Sequence, residues 1–299
     1  MKNTQALTVS NIRHETLNSV VISFKIPSNL KSQYTFKAGQ YLTLSSNING
    51  KKVKRSYSIC SSPKSMNLQV GVKAIENGVF SNYVNDALRE GDSIEVSVPE
   101  GRFVLNDNPV ANYCAFVAGS GITPLMSIVS DVLSKNESSV FIMGYGNKTK
   151  ASTMFTSDIE ELKSLYPKRF YCYNIYSKEN NTEAAFGRID SNFINYVLKQ
   201  HSDISFEKVL LCGPEKMIED SKETLEKASF SKDKVLYELF YSKPAVEDNE
   251  KGKGSSAKII YDEETLDLEV PEKMTILDAA LQKNIDVPYS CQGGVCSSC

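Results

Sequence analysis

Residues 115–124 read AFVAGSGITP, and this stretch decides the fold of the middle of the chain. It opens with an apolar run that predicts a short buried strand, and Pro124 suits the first turn of a helix. Glycines between a strand and a helix allow a tight turn and let a pyrophosphate approach the positive end of the helix. Gly119 and Gly121 are therefore candidate nucleotide contacts. A structural turn that binds no ligand is the alternative interpretation.

Short apolar runs alternate with helix-length amphipathic segments over residues 111–241. The apolar run 140–143, for example, precedes the helical pattern 157–165. This alternation predicts a parallel sheet covered by helices, with ligands at the carboxyl ends of its strands. Two strand ends add candidate site residues, Tyr145-Gly146-Asn147 and Cys212-Gly213-Pro214. Cys212 has a second interpretation as a buried thiol without a function.

Residues 1–110 show a different pattern, that of short strands separated by turns rich in Asn, Gly and Ser. They predict an antiparallel β-barrel or sandwich with one helix over 81–89. The segment Arg55-Ser56-Tyr57-Ser58 combines arginine for a pyrophosphate, tyrosine for stacking on a ring system and serine for a ring nitrogen. The segment Gly78-Val79-Phe80-Ser81 offers a second place for phosphate oxygens. A charged surface strand and a simple helix N-cap at Ser81 are the alternatives.

The chain has a third region after a flexible segment. Residues 242–257 lack apolar periodicity and are rich in Lys, Glu, Gly and Ser, which predicts a linker. Residues 258–299 begin with two predicted strands around the turn 262–264, followed by a helix that Thr275 caps. A small separate domain is therefore expected at this end of the chain.

Three cysteines are crowded into the sequence CQGGVCSSC of residues 291–299. Their C-x4-C-x2-C spacing is that of plant-type 2Fe-2S clusters, and thiolate is a ligand suited to iron. A zinc site usually has paired C-x2-C units, and this segment has one. Cys291, Cys296 and Cys299 are therefore the candidate metal ligands. Because such a cluster needs a fourth ligand, we expect the natural chain to continue and to contain another cysteine.

Composition and charge exclude several classes of protein. The 299 residues carry 34 Lys and Arg against 36 Asp and Glu, so the formal net charge is −2. A nucleic-acid partner is not expected, since duplex-binding proteins normally have a basic excess. No apolar run approaches the roughly 18 residues of a membrane helix, and the N-terminus lacks an apolar signal core. We therefore expect no membrane partner and a cytoplasmic location.

Five motifs taken together resemble the ferredoxin–NADP reductase superfamily. They are, in chain order, Arg55-Ser56-Tyr57-Ser58, Gly78-Val79-Phe80-Ser81, Gly119-Ser120-Gly121-Ile122-Thr123-Pro124, Cys212-Gly213-Pro214 and Glu238-Leu239-Phe240. The cysteine-rich end resembles a plant-type ferredoxin. This order is similar to that of the reductase components of multicomponent oxygenases, and among them to the reductase subunits of phenylacetyl-coenzyme A epoxidases.

The resemblance implies a multidomain fold. An antiparallel β-barrel FAD domain would occupy residues 1–110, and a Rossmann-like α/β NAD(P) domain would occupy residues 111–241. After the linker at 242–257, residues 258–299 would form the first part of a β-grasp ferredoxin domain.

The resemblance also assigns roles to residues of the first domain. Arg55 would bind the FAD pyrophosphate, Tyr57 would stack on the flavin, and Ser58 would lie near flavin N5. The other FAD contacts would be Ser56, Lys73, Gly78, Val79, Phe80 and Ser81.

In the second domain the resemblance assigns the nicotinamide dinucleotide to Gly119, Gly121, Thr123 and Pro124. The strand ends add Tyr145, Gly146, Asn147, Gly213 and Pro214 as candidate contacts of the same ligand. Cys212 would lie beside the ring carbon that gives up hydride, and Glu238 and Phe240 match the terminal acid and aromatic of the family. The catalytic residues would be Ser58, Cys212 and Glu238. Ser177 and Lys178, with Arg188, favour NADPH, although NADH remains open because lysine lacks the bidentate fork of arginine.

The resulting prediction is an FAD-dependent NAD(P)H reductase that passes electrons through a 2Fe-2S cluster to an oxygenase component or another one-electron acceptor. The resemblance implies a di-iron monooxygenase acting on an aromatic acyl thioester as the acceptor. One alternative is a stand-alone ferredoxin or flavodoxin reductase. The other is a regulatory subunit that binds flavin and nucleotide without turnover.

Overall fold

The computed structural model describes residues 4–65, 67–106, 111–240, 254–261, 264–271 and 274–283. Met1–Phe240 form one compact unit and Tyr241–Cys299 form a second. Cys291, Cys296 and Cys299, the predicted cluster ligands, lie outside the described residues. Among those residues, no helix has the length and apolar character needed to cross a membrane.

The first layer of the larger unit is an antiparallel barrel of six strands in the order β4-β3-β6-β1-β2-β5. Its elements are β1 (Thr4–Thr16), β2 (Ser19–Lys25), β3 (Tyr41–Ile48), β4 (Lys51–Ser58), β5 (Leu68–Lys73), α1 (Val79–Asp86) and β6 (Ser93–Ser97). A bridge between Ile59 and Val70 joins the two edges of the sheet. Alternate residues such as Val20, Ile22 and Phe24 point into a shared core. The predicted barrel is confirmed.

The second layer is a parallel sheet of six strands in the order β10-β9-β8-β7-β11-β12. Its strands are β7 (Asn112–Ala118), β8 (Phe141–Asn147), β9 (Phe170–Tyr176), β10 (Ala185–Phe186), β11 (Phe206–Gly213) and β12 (Val235–Leu239). Its helices are α2 (Ile122–Lys135), α3 (Thr156–Leu165), α4 (Ser191–Gln200) and α5 (Glu215–Lys227). The strand order reverses between β7 and β11, so the ligand crevice is expected where these strands end. The predicted α/β layer is confirmed.

The two layers share a continuous apolar core rather than meeting at a solvated surface. Val21, Cys60 and Phe103 from the first layer pack in one cluster with Leu125 and Met143 of the second. The Ser127 hydroxyl donates a buried hydrogen bond of 2.6 Å to the carbonyl of Ser61. The barrel and the parallel sheet therefore form one compact unit.

The layers approach each other closely at Gly71 in β5. A Cβ at this position would lie 2.6 Å from Thr123 Cγ2, 3.2 Å from Phe155 Cζ and 3.4 Å from Met154 Cε. Real Cβ atoms do not approach other atoms so closely, since packed cores have no spare volume. Glycine at this position lets the barrel strand reach the start of α2.

We expect Gly71→Ala to destabilise the protein by about 2 kcal/mol, because the added methyl overpacks this contact. Thermal unfolding should show Tm lowered by about 5 °C in a unit of this size. The double variant Gly71→Ala/Thr123→Ser removes the opposing methyl and keeps the hydroxyl, so it should recover most of the lost Tm. A Gly71→Ala protein as stable as wild type would contradict this packing.

The second unit is small, and its described part is a hairpin followed by a helix. Strands β13 (Ser255–Tyr261) and β14 (Glu264–Val270) pair antiparallel, and α6 (Ile276–Gln282) packs on them. The first strand begins at Ser255, within the range 242–257 predicted as linker. The Thr275 hydroxyl accepts a 3.1 Å hydrogen bond from the Asp278 N–H, which confirms the predicted N-cap.

Candidate functional site

The barrel brings together two of the motifs found in the sequence. Tyr57 near the end of β4 and Phe80 in α1 have ring centroids 5.9 Å apart with planes tilted by 34°. Phe80 is buried and forms the base of this pair, whereas Tyr57 is half-buried. Burial raises the pKa of Tyr57, so its hydroxyl stays protonated at neutral pH. Tyr57 therefore offers an uncharged aromatic face on which a planar ring can stack.

The other residues of the β4 motif differ in exposure. Arg55 is exposed, and its Nη1 donates to the carbonyl of Lys54 at 2.6 Å. Ser56 Oγ lies 3.0 Å from Thr43 Oγ1, while Ser58 is buried. An exposed guanidinium next to a half-buried tyrosine is suited to an anion that carries an aromatic group.

The start of α1 supplies a second group of donors beside this pair. Gly78 is the N-cap residue and makes no side-chain cap, so the alternative of Ser81 as N-cap does not apply. The Ser81 hydroxyl instead accepts from the N–H of Ile75 at 3.3 Å. A Cβ on Gly78 would collide with Ser81 Oγ and lie 2.5 Å from Ile75 Cγ1. The first-turn N–H groups, beginning at the exposed Val79, have no partner within the helix and suit phosphate oxygens.

Lys73 lies at the end of β5 and connects the barrel to the second layer. Its Nζ donates to the carbonyl of Ser152 at 3.1 Å. Burial lowers the pKa of Lys73, and the like charge of Lys148 lowers it further. The side chain therefore favours an anionic neighbour, which would restore its proton affinity.

The glycine turn after β7 is packed against the end of β11. A Cβ on Gly121 would collide with the carbonyl oxygen of Cys212 and lie 2.7 Å from its carbon and 3.1 Å from Gly213 N. Gly119 has φ +56° and open space where its Cβ would be. One glycine thus permits close backbone packing, and the other leaves room for a ligand.

Thr123 and Pro124 lie in the first turn of α2, and both are buried. The Thr123 hydroxyl donates to the carbonyl of Ser120 at 3.0 Å, which closes the turn. Because the Thr123 methyl contacts Gly71 of β5, the glycine turn lies beside the barrel strand. The bridge between Ile59 and Val70 then connects this point to Ser58 at the end of β4.

Strand β8 supports the same turn from the other side. Tyr145 is fully buried, and its hydroxyl lies 3.2 Å from the carbonyl oxygen of Gly119, to which it donates. Asn147, beyond Gly146, is 8% exposed, and among the described residues neither its Nδ2 nor its Oδ1 makes a hydrogen bond of normal geometry. An unpaired buried amide costs about 1–3 kcal/mol. Asn147 is thus suited to a polar ligand, whereas Tyr145 binds the backbone of the glycine turn.

The ends of β11 and β12 place Cys212 and Glu238 side by side. The two residues are paired in register in the parallel ladder. Cys212 is fully buried, and burial raises the pKa of its thiol well above the usual value, with the Glu238 carboxylate adding to the effect. The sulfur is therefore an uncharged thiol and not a thiolate nucleophile. Phe240 packs on the cluster shared by both layers, and Pro214 caps α5 directly after Gly213.

The residues predicted to determine the coenzyme preference follow β9 and β10, at the edge of the sheet opposite to β11 and β12. The Ser177 N–H donates to the carbonyl of Asn147 at 3.0 Å, and the Lys178 N–H donates to that of Lys148 at 2.9 Å. The loops after β8 and β9 are thereby joined. Lys178 and Arg188 are both exposed, which leaves their charges available to an anionic ligand.

The sequence analysis missed one residue that contacts this region. Glu15 in β1 accepts a 2.7 Å hydrogen bond from the N–H of Phe155, at the start of α3. The two residues are 140 positions apart, and Glu15 belongs to no motif. No local signal in the sequence could have identified it.

Three family models match the chain in consecutive ranges. Residues 6–105 match an oxidoreductase FAD-binding domain, and residues 116–223 match an oxidoreductase NAD-binding domain. Residues 259–299 match a 2Fe-2S iron-sulfur cluster binding domain. The first range runs from within β1 past the last strand of the barrel, and the second runs from within β7 to within α5, so β12 lies outside it.

Two curated relatives match nearly the whole chain. One component of the 1,2-phenylacetyl-CoA epoxidase of Escherichia coli is 35% identical, covering 98% of this chain and 85% of the relative. The ferredoxin reductase component of the 3-ketosteroid-9-alpha-monooxygenase of Rhodococcus rhodochrous is 30% identical, covering 98% and 84%.

A solved structure confirms the fold of the larger unit. The ferredoxin NADP+ reductase of Neisseria gonorrhoeae, determined with bound FAD and NADP, superposes with a TM-score of 0.68 at 18% identity. The match covers 80% of this chain and 99% of that one.

Proposed function

The chain belongs to the family of FAD- and NAD(P)-dependent oxidoreductases with a 2Fe-2S domain that includes the reductase components of oxygenases, and we propose that it supplies such an oxygenase with electrons from NADPH. The predicted cofactors, FAD, NAD(P)H and a 2Fe-2S cluster, are confirmed at the level of the domains. FAD, when bound, supplies the chemistry that converts a two-electron hydride transfer into single-electron transfers.

The residues of the barrel fit FAD. Arg55 and the first-turn N–H groups of α1 would bind the pyrophosphate, with Ser56, Lys73 and Ser81 nearby. Tyr57 would hold the ring system against its face, over the buried Phe80. Ser58 would donate its hydroxyl at the edge of that ring system.

The residues of the parallel sheet fit the nicotinamide dinucleotide. Gly119 leaves space for the pyrophosphate, and Asn147 supplies a buried amide for a polar group. The thiol of Cys212, uncharged because it is buried, would pack beside the nicotinamide without reacting with it. Glu238 would keep a carboxylate at the same strand end, and the aromatic ring of Phe240 would cover the site.

The observation that carries the proposal is the contact between Gly71 and Thr123. It joins the barrel strand that ends at Lys73 to the helix that begins after the glycine turn. Hydride transfer requires reacting atoms about 3–3.5 Å apart, so the two dinucleotide sites must adjoin. This shared boundary favours turnover over the alternative of a regulatory subunit.

Anaerobic titration of the purified protein with NADPH tests the function. The visible flavin bands should be present and should bleach completely with about 1.5 equivalents of NADPH, since FAD takes two electrons, a 2Fe-2S cluster takes one and each hydride supplies two. A protein without flavin bands would contradict the proposal. A flavin that NADPH leaves unbleached would favour the regulatory subunit instead.

The acceptor is proposed from the relatives. The Escherichia coli relative is a component of an epoxidase of phenylacetyl-CoA, and we propose an oxygenase that acts on an aromatic acyl thioester as the partner. The steroid monooxygenase of the second relative is the other candidate acceptor. Reduction rates with each purified oxygenase would decide between them. The cytoplasmic location and the absence of nucleic-acid and membrane partners stay predictions.

The preference for NADPH leads to a specific expectation at Lys178. Lys178→Ala should raise KM for NADPH about tenfold and KM for NADH less than about twofold, because the side chain meets only the 2′-phosphate. Steady-state kinetics with both coenzymes measure this. Lys199→Ala, which removes an exposed lysine at the end of α4, is the matched control. Equal changes for both coenzymes would exclude Lys178 as the specificity residue.

A further inference from the structure

Two neighbouring charged residues of β1 contact the start of α3. The Glu15 side chain is 6% exposed, and its Oε1 pairs with Arg13 at 3.0 Å. Its Oε2 accepts the N–H of Phe155 at 2.7 Å. Arg13 also makes two hydrogen bonds, of 3.0 and 3.2 Å, to the carboxylate of Asp158 in the first turn of α3. The barrel thus holds this helix end through charged hydrogen bonds as well as apolar packing.

Phe155 has a backbone conformation that needs external support. Its φ of +59° lies in the left-handed region, which residues other than glycine rarely adopt. Such a conformation persists only where the surroundings hold it. As the N-cap residue of α3, Phe155 also has an N–H without a partner inside the helix. The Glu15 carboxylate supplies that partner from the other layer.

A short series of contacts connects Phe155 to the glycine turn. Met154, the preceding residue, is fully buried, and its carbonyl oxygen lies 3.4 Å from the Tyr145 hydroxyl. The same hydroxyl donates to the carbonyl of Gly119 at 3.2 Å. A displacement of residues 154–155 would therefore move one of the two acceptors that orient Tyr145.

We propose that Glu15, supported by Arg13, is a positioning residue for the nicotinamide dinucleotide: it fixes Phe155 and thereby, through Met154 and Tyr145, the turn at Gly119. This inference rests on the proposed function, since it concerns the same site. The pKa of Glu15 lies above its usual value, because burial and the nearby Asp158 carboxylate raise it more than the Phe155 N–H and Arg13 lower it. The hydrogen bond to Phe155 and the ion pair to Arg13 both favour the charged carboxylate.

Binding of two ligands to the holoenzyme variants tests the proposal. NADP+ carries the pyrophosphate that the proposed function assigns to the glycine turn, whereas adenosine 2′-monophosphate has no phosphate at the 5′ position. In Glu15→Ala the Kd for NADP+, measured by calorimetry, should rise about tenfold, which corresponds to about 1.4 kcal/mol. The Kd for adenosine 2′-monophosphate should change less than about twofold, and the FAD content should equal that of wild type.

Glu15→Gln keeps an acceptor oxygen for the Phe155 N–H and removes the charge that faces Arg13. It should raise the Kd for NADP+ about threefold, and it decides the question if Glu15→Ala does not fold. Glu90→Gln is the matched control, because Glu90 also accepts a backbone N–H, that of Ile12 at 3.0 Å, but within the barrel. It should bind both ligands as wild type does.

Four outcomes are informative. Wild-type affinity for NADP+ in both Glu15 variants would overturn the inference, and so would equal weakening of both ligands, which indicates general damage. Selective weakening of NADP+ supports it. A wild-type protein that binds no NADP+ would overturn the proposed function instead.

Discussion

Replacing Gly121 by alanine is expected to lower kcat/KM for NADPH by at least about a hundredfold, the kinetic equivalent of about 2.7 kcal/mol. The added methyl would collide with the carbonyl oxygen of Cys212 and lie 2.7 Å from its carbon. Both are backbone atoms at the end of a strand buried between β7 and β12, so they have little room to yield. The glycine turn or the Cys212 segment must move, and either shift misplaces the reacting groups. Anaerobic stopped-flow measurement of flavin reduction gives the rate directly.

Two matched variants separate this collision from other glycine effects. Gly119→Ala meets no atom within 4 Å, so its effect would come from the φ of +56° and from the ligand alone. Gly50→Ala, in the turn between β3 and β4, combines a positive φ with open space far from any motif. It should lose about 1 kcal/mol of stability and react with NADPH at the wild-type rate. If Gly121→Ala also reacted at that rate, the assignment of this turn to the dinucleotide would be wrong.

Replacing Cys296 by serine is expected to remove the iron and to abolish electron delivery to the oxygenase. A serine oxygen replaces a soft thiolate ligand, which an iron–sulfur cluster requires. Reduction of ferricyanide, which takes electrons from flavin, should stay within about twofold of the wild-type rate. The reason is that the FAD- and NAD-binding ranges of the chain are separate from the 2Fe-2S range that contains Cys296. Iron analysis and the two acceptor assays measure these effects.

The control for that variant is Cys172→Ser, which replaces a half-buried free thiol in β9. It should retain the full iron content. Iron that persists in Cys296→Ser would exclude Cys296 as a ligand. A wild-type protein without iron would instead support the alternative of a stand-alone reductase.

Local sequence signals were sufficient to predict the elements and their order. The Asp190 carboxylate accepts the N–H of Phe193 at 2.9 Å, so α4 begins at a residue type that favours the N-cap position. Along β2, Val20, Ile22 and Phe24 pack in the barrel core and Val21 packs in the cluster shared with the second layer, because alternate side chains point to opposite faces. These signals depend on residues that are close together in the chain, so a single sequence contains them completely.

The sequence by itself determined the fold class, the domain order and the types of cofactor, since these depend on short motifs and on periodicity. The tertiary structure alone decided how the barrel and the parallel sheet adjoin. The contact of Gly71 with Thr123, the hydrogen bond from Phe155 to Glu15 and the position of Tyr145 beneath Gly119 join distant parts of the chain. Such contacts depend on how two independently patterned layers pack, and no local propensity encodes that packing.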